Sequence, residues 1–111
     1  MVTLRHLYLW QTGITYITDI ASLYNLAGLY IYGNNISDLS PLITMAERAI
    51  EYTGHTNLVT LYAWSNHIRN VSAIAPHVSL QSLNLQVNQI QDMAPLAALV
   101  NLRELVLHNN E

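Results

Sequence analysis

The apolar residues of this chain fall at offsets that recur every 22 residues. From Leu80 the sequence reads LQSLNLQVNQIQDMAPLAALVN, in the frame LxxLxLxxNxIxDMxPLxxLxN. The frame also fits Leu4–Asn25 and Leu58–Ser79. It starts again at Leu26 as LAGLYIYGNNISDLSPLITM and reopens at Leu102 as LRELVLHNN. Self-similarity at such a period marks a solenoid, whose coils are each too small to bury an apolar side alone. The repeats run 4–25, 26–57, 58–79, 80–101 and, in part, 102–111, within a single domain spanning 1–111. The second is 32 residues long and carries an insertion of 10.

Each column of the frame has a physical reading. The first position is leucine in every copy, as is the fourth (Leu7, Leu29, Leu61, Leu83, Leu105). The sixth holds Leu9, Ile31, Ala63, Leu85 and Leu107, and the eleventh Ile14, Ile36, Ile68 and Ile90. Alternation across LxxLxLxx predicts a short strand whose every second side chain enters the coil interior. The ninth position is Asn34, Asn66, Asn88 and Asn110, with Thr12 in the first copy. A primary amide both donates and accepts, so it can satisfy backbone groups left unpaired where the chain turns out of the strand. In register these amides form a buried ladder, weaker at Thr12, which has only a hydroxyl.

The insertion follows Ser40-Pro41 and covers 42–56. Leu42, Met45, Ala46, Ala49 and Ile50 have helical spacing, Ser40 and Pro41 suit an N-cap and first turn, and Gly54 a stop. The expectation is a helix of about three turns on the side away from the sheet. It is either a tolerated insertion or a docking element built around Glu47, Arg48, Glu51 and Tyr52.

The phrases NQIQDMAPLAALVNL (Asn88 to Leu102) and NNISDLSPL (Asn34 to Leu42) resemble the leucine-rich-repeat family, in particular its short 22-residue, internalin-like class. The resemblance implies an α/β fold: a right-handed curved solenoid with a parallel sheet on the concave face and short helices or 3-10 turns on the convex face. It implies a non-enzymatic module that binds a protein, peptide or glycan partner, and it favours an extracellular or cell-surface location. The family uses one scaffold for many ligands, so the fold alone does not choose among them.

Strand residues between the buried leucines face the concave surface. The fifth position supplies Tyr8, Tyr30 and Tyr62, then Asn84 and Val106. The seventh supplies Trp10, Tyr32 and Trp64, then Gln86 and His108. Two adjacent aromatic columns therefore cover three coils, and the last two coils turn polar. One account is cross-strand pairing that covers the sheet. The other is a recognition platform of Tyr8, Trp10, Tyr30, Tyr32, Tyr62 and Trp64, since such rings dominate binding hot spots. His6, Gln11 and Glu104 are placed to add polar selectivity at its edges.

Composition narrows the function further. Only 10% of residues are charged and the net charge is −3, with four scattered arginines and no lysine, which argues against nucleic acid as a partner. There is no cysteine, hence no disulfide or thiolate metal site. The five histidines share no i, i+4 spacing, so no metal and no cofactor is expected. His77 stands in a column filled by Leu23 and Leu99, which suits a core histidine bonded to backbone. No carboxylate pair, nucleophile motif or phosphate loop supports catalysis. No apolar run reaches bilayer length, so membrane insertion is not expected. Asn35-Ile36-Ser37 and Asn70-Val71-Ser72 are glycosylation triplets, making Asn35 and Asn70 possible acceptors.

Terminal coils need covering, because otherwise a core cross-section meets water. Leu4, Leu7 and Leu9 form one such face and Leu102, Leu105 and Leu107 the other. Three expectations remain open: further coils of a longer chain, head-to-tail stacking of copies into a filament or larger assembly, or a different protein as cap.

Overall fold

A computed structural model describes residues 3–110. Five short strands, β1 (His6–Tyr8), β2 (Gly28–Tyr30), β3 (Thr60–Tyr62), β4 (Ser82–Asn84) and β5 (Glu104–Val106), form one parallel sheet in chain order. The register repeats without slip: Leu7, Leu29, Leu61, Leu83 and Leu105 stand side by side across all four pairings. A slip of one residue would turn these leucines outward, so burial of the fourth column fixes the register. The opposite side carries 3-10 turns at Thr18–Ser22, Ser72–Ile74 and Ala94–Ala98 and one α-helix, α1, at Pro41–Thr53. Helical turns are wider than the ~4.8 Å between strands, which makes the sheet the inner face of the bend.

The core is the superposition of the columns read from the sequence. Leu26, Leu58 and Leu80 are buried, as are Leu29, Leu61 and Leu83, Ile31, Ala63 and Leu85, and Ile36, Ile68 and Ile90. One hydrophobic cluster runs through these coils, with Leu7, Leu9, Leu102 and Leu107 packed half-buried against it.

The asparagine ladder joins coil to coil. Asn66 Nδ2 donates to the carbonyl of Ala63 in its own coil and of Ile31 in the preceding one, both at 3.0 Å. Its Oδ1 accepts from the N–H of Ile36, again in the preceding coil, at 3.0 Å. Asn88 repeats this set on Leu85, Ala63 and Ile68, and Asn110 on Leu107, Leu85 and Ile90. Asn34 bonds Ile31, Leu9 and the N–H groups of Thr12 and Ile14. The sixth-position carbonyls of Ile31, Ala63 and Leu85 thus each receive two donors, their own coil's asparagine and the next coil's. Thr12 has a single hydroxyl hydrogen to donate, with the Leu9 carbonyl at 3.0 Å and Asn34 Oδ1 at 3.3 Å as its acceptors.

Two further columns emerge only in three dimensions. The eighth position is left-handed in every coil: Gln11, Gly33, Ser65, Val87 and Asn109 all have φ between 53° and 71°. This conformation swings the chain so that the ninth side chain points inward. Glycine and asparagine take it readily, whereas a β-branched valine is strained there. At the thirteenth position, Asp38, Asn70 and Asp92 each accept from the backbone N–H two residues on, at 2.8 to 2.9 Å, closing the turn that opens the convex segment. These bonds hold the Asp38 carboxyl below the usual carboxylate range.

The insertion forms α1 with Pro41 in the first turn, and Gly54 ends it at φ 86°, donating to the carbonyl of Ile50 at 2.9 Å. Two expectations need refining. Ser40 does stand at the N-cap position, but it is itself helical (φ −55°, ψ −29°) and makes no side-chain capping bond. Ile50 is half exposed, so the packed face is Leu42, Met45, Ala46 and Ala49. Among the described residues, no helix is long and apolar enough to cross a membrane.

Two substitutions test this account. Asn66→Ala strands a buried N–H and two carbonyl acceptor positions and is expected to cost about 3 kcal/mol or more. Val87→Asn removes a strained φ of 57° at an exposed site and is expected to stabilise by about 1 kcal/mol, raising Tm by several degrees. Urea and thermal unfolding measure both, and a Val87→Asn protein with unchanged Tm would dismiss strain at this position.

Candidate functional site

The register of the sheet places the fifth-position side chains Tyr8, Tyr30 and Tyr62 on adjacent strands with the same orientation. Tyr8 and Tyr30 stack with ring centroids 4.5 Å apart and planes 6° from parallel, while Tyr30 meets Tyr62 edge-on at 5.4 Å and 84°. The seventh-position rings form a second stack. Trp10 lies 5.5 Å from Tyr32 at 1°, and Tyr32 lies 4.3 Å from Trp64 at 9°. Tyr8 and Trp10 bridge the two columns edge-to-face at 5.4 Å. All six rings expected from the sequence are therefore brought together, and each such contact stabilises by about 0.5–1.5 kcal/mol beyond area burial.

Stacking along the sheet also decides what the surface offers. Tyr32 has both faces covered, by Trp10 and Trp64, and it presents an edge. The rings at the ends of the column each keep one face free of this stack. Tyr8 and Trp10 are the most exposed, at 54% and 42%. Tyr30, Tyr32, Tyr62 and Trp64 are partly buried. Burial raises the Tyr30 hydroxyl's pKa, the neighbouring Tyr8 and Tyr62 phenols add to the rise electrostatically, and a hydrogen bond to Thr60 acts in the opposite sense.

Gly28 makes this arrangement possible, a role the sequence did not announce. A Cβ there would stand 2.8 Å from both Cε2 and Oη of Tyr30 and 2.5 Å from Nδ1 of His6. Tyr30 leans back along its own strand into the space that a side chain would fill, and His6 stacks beside it at 6.4 Å. The only signal was a lone glycine in a strand pattern, which marks a close approach.

Beyond Trp64 the face turns polar. Tyr62 Oη lies 3.5 Å from Ser82 Oγ, and Ser82 donates to the Glu104 carboxylate. Glu104 is thus tied into the edge of the platform, whereas Gln11 turns at the left-handed eighth position beside Gly33. Asn84 accepts from the N–H of Gln86 at 3.1 Å, and His108 is exposed. At the two ends, Leu4 and Leu105 are 41% and 44% exposed. Asn35 is exposed, and exposed Asn70 uses its Oδ1 to hold both the N–H and the hydroxyl of Ser72. Among the described residues, no three histidines, cysteines or carboxylates converge as a metal-holding group.

Single-strand coils stacked in parallel, with an in-register amide ladder and 3-10 turns outside, define a leucine-rich-repeat solenoid. Residues 78–111 match the model for leucine-rich repeats in two copies. Among solved structures, the chain is similar to an internalin (inlF) from Listeria monocytogenes, at 34% identity with a TM-score of 0.79, covering 96% of this chain and 28% of that one. It is also similar to an internalin C2 from the same organism, at 34% identity with a TM-score of 0.67, covering 96% of this chain and 52% of that one. The chain therefore spans about half the length of the second structure and less of the first. No curated protein matches the sequence. The matching repeats and both structural likenesses support a leucine-rich-repeat chain of the internalin-like class.

Gly28→Ala is expected to displace Tyr30 and His6 with little loss of fold, since the atoms it meets are the far ends of side chains. Near-UV circular dichroism and ring-current-shifted methyl signals should change while Tm moves by only about 1 kcal/mol equivalent. An unaltered aromatic spectrum would mean that the glycine is not what seats the ring.

Proposed function

We propose that the chain is a non-enzymatic recognition module whose concave aromatic face, Tyr8, Trp10, Tyr30, Tyr32, Tyr62 and Trp64, contacts an extended protein, peptide or glycan partner. Leucine-rich repeats are in general protein-interaction modules. The observation that carries the finer reading is the pair of ring columns, aligned over three consecutive coils and partly exposed. Rigid rings held by their neighbours lose little conformational entropy on binding, which is what a contact surface requires. The ring edges, tyrosine hydroxyls and Glu104 together suit a partner that brings apolar surface and hydrogen-bonding groups to one face.

Head-to-tail stacking of copies is the weaker reading, because of Thr12. In the ladder, the sixth-position carbonyl of each coil accepts from the ninth-position amide of the next. Leu107 would meet Thr12 of a following copy, and that hydroxyl already donates to Leu9. A joint of that kind lacks the bond that unites every other pair of coils.

Tyr32→Ala combined with Trp64→Ala is expected to reduce partner binding at least tenfold while the far-UV spectrum stays that of the parent. The assay is retention of candidate peptides, proteins and glycans on the immobilised chain, followed by titration calorimetry of whatever is retained. Equal affinity for parent and variant would remove this face as the site. Light scattering over a hundredfold concentration range is expected to give one monomer mass, and growth of mass with concentration that Leu105→Asp abolishes would favour the stacking reading instead.

A further inference from the structure

The convex side holds one buried ionisable group that neither the leucine columns nor the aromatic face accounts for. His77 is 1% exposed and occupies the column where Leu23 and Leu99 stand in other coils. Its Nε2 lies 2.7 Å from the carbonyl oxygen of Leu42, which can only accept, so this nitrogen carries the proton. Its Nδ1 is buried without any hydrogen-bond partner. Leu42 lies in the first turn of α1. The imidazole therefore reaches across the seam between the second and third coils and fastens the inserted helix to its neighbour.

The surroundings offer nothing to stabilise a charge there. The charged residues of α1 are Glu47, Arg48 and Glu51, all exposed, while its packed face is Leu42, Met45, Ala46 and Ala49. Asp38 before the helix and His55 after it are exposed too. The 3-10 turns at Ser72–Ile74 and Ala94–Ala98 carry no titratable side chain, and Asp92, just ahead of the second, is exposed. A second proton would leave an N–H donor without an acceptor and a cation in an apolar interior.

We propose that His77 is an acid-sensitive latch: in mildly acidic solution the proton taken up at Nδ1 releases α1 from the third coil and opens the apolar seam beneath it. Burial already holds this imidazole below the ordinary histidine range, with the Leu42 carbonyl acting in the opposite sense. The folded value is depressed, so the open form binds the proton first. The stabilisation is complete above the ordinary value of about 6.5 and is lost as pH falls from there through the folded value. Asp38, whose carboxyl is held low, titrates in a separate and more acidic window. The seam that opens lies between α1, whose buried residues are Leu42, Met45, Ala46 and Ala49, and the Ser72–Ile74 turn, whose buried residues are Ala73 and Ile74; on its other side α1 packs on the Thr18–Ser22 turn.

Hydrogen exchange of the α1 amides, residues 41–53, tests the latch, with the amides of β3 and β4 as an internal reference and the intrinsic pH dependence of exchange removed. In the parent protein the opening constant of α1 should rise by up to tenfold per pH unit below about 6.5. In His77→Leu, which restores the residue type of the column, it should stay flat, with the other four histidines unchanged in both proteins. Equal slopes in the two proteins, or no slope in the parent, would overturn the proposal. Should His77→Leu fail to fold, a titration of the parent's histidine ring protons decides the matter. An imidazole that stays neutral in the closed form while α1 exchange rises supports the latch, and one that titrates near 6.5 with α1 protection unchanged overturns it.

Discussion

Everything in this molecule hangs on one requirement: where the chain leaves each strand, backbone groups facing the interior must find partners that no regular secondary structure supplies. The ninth-position amide meets it. Asn66 spans two coils with one side chain, binding Ala63 in its own coil and Ile31 and Ile36 in the preceding one. The bonds are buried and repeat in register, so they set the pitch at which the leucine columns superimpose. A buried polar group left unpaired costs more than the bond gains when made, which makes the ladder a condition of the fold as well as a source of stability. Thr12 shows the limit, with one hydroxyl and one hydrogen to donate.

The concave surface inherits its order from that pitch. Coils superimposed without slip carry like residues into neighbouring positions, and aromatic residues at the fifth and seventh positions become stacks. Stacking then restricts the chemistry: a ring covered on both faces, such as Tyr32, recognises a partner through its edge. The tyrosine hydroxyls and the Ser82–Glu104 bond add hydrogen-bonding capacity at the margin. Gly28 contributes by having no side chain, leaving room for Tyr30 and His6 over the second strand.

The convex surface is less regular because its coils do not carry equal segments. Asp38, Asn70 and Asp92 open three of them with the same turn, whether a 3-10 turn or α1 follows. The longer helix brings the carbonyl of Leu42 within 2.7 Å of His77. A histidine in a leucine column is thereby half satisfied, and its buried unsatisfied nitrogen sets that seam apart from the other junctions among the described residues.

The sequence by itself determined the repeat, the burial of its columns, the ladder and the two aromatic columns. All of these follow from periodicity, because a coil that stacks on its like must place identical residues in identical environments. It also located the inserted helix through Pro41 and Gly54, and Ser40 at its N-cap, though that side chain makes no capping bond. Only the tertiary structure decided the rest. The left-handed eighth position was hidden by a column as mixed as Gln11, Gly33, Ser65, Val87 and Asn109, since tertiary packing overrides local preference there. Which ring faces are covered, why Gly28 is empty and which carbonyl His77 reaches depend on distances between side chains of different coils. Those distances are set by the stacking geometry, and no spacing along a single chain encodes them.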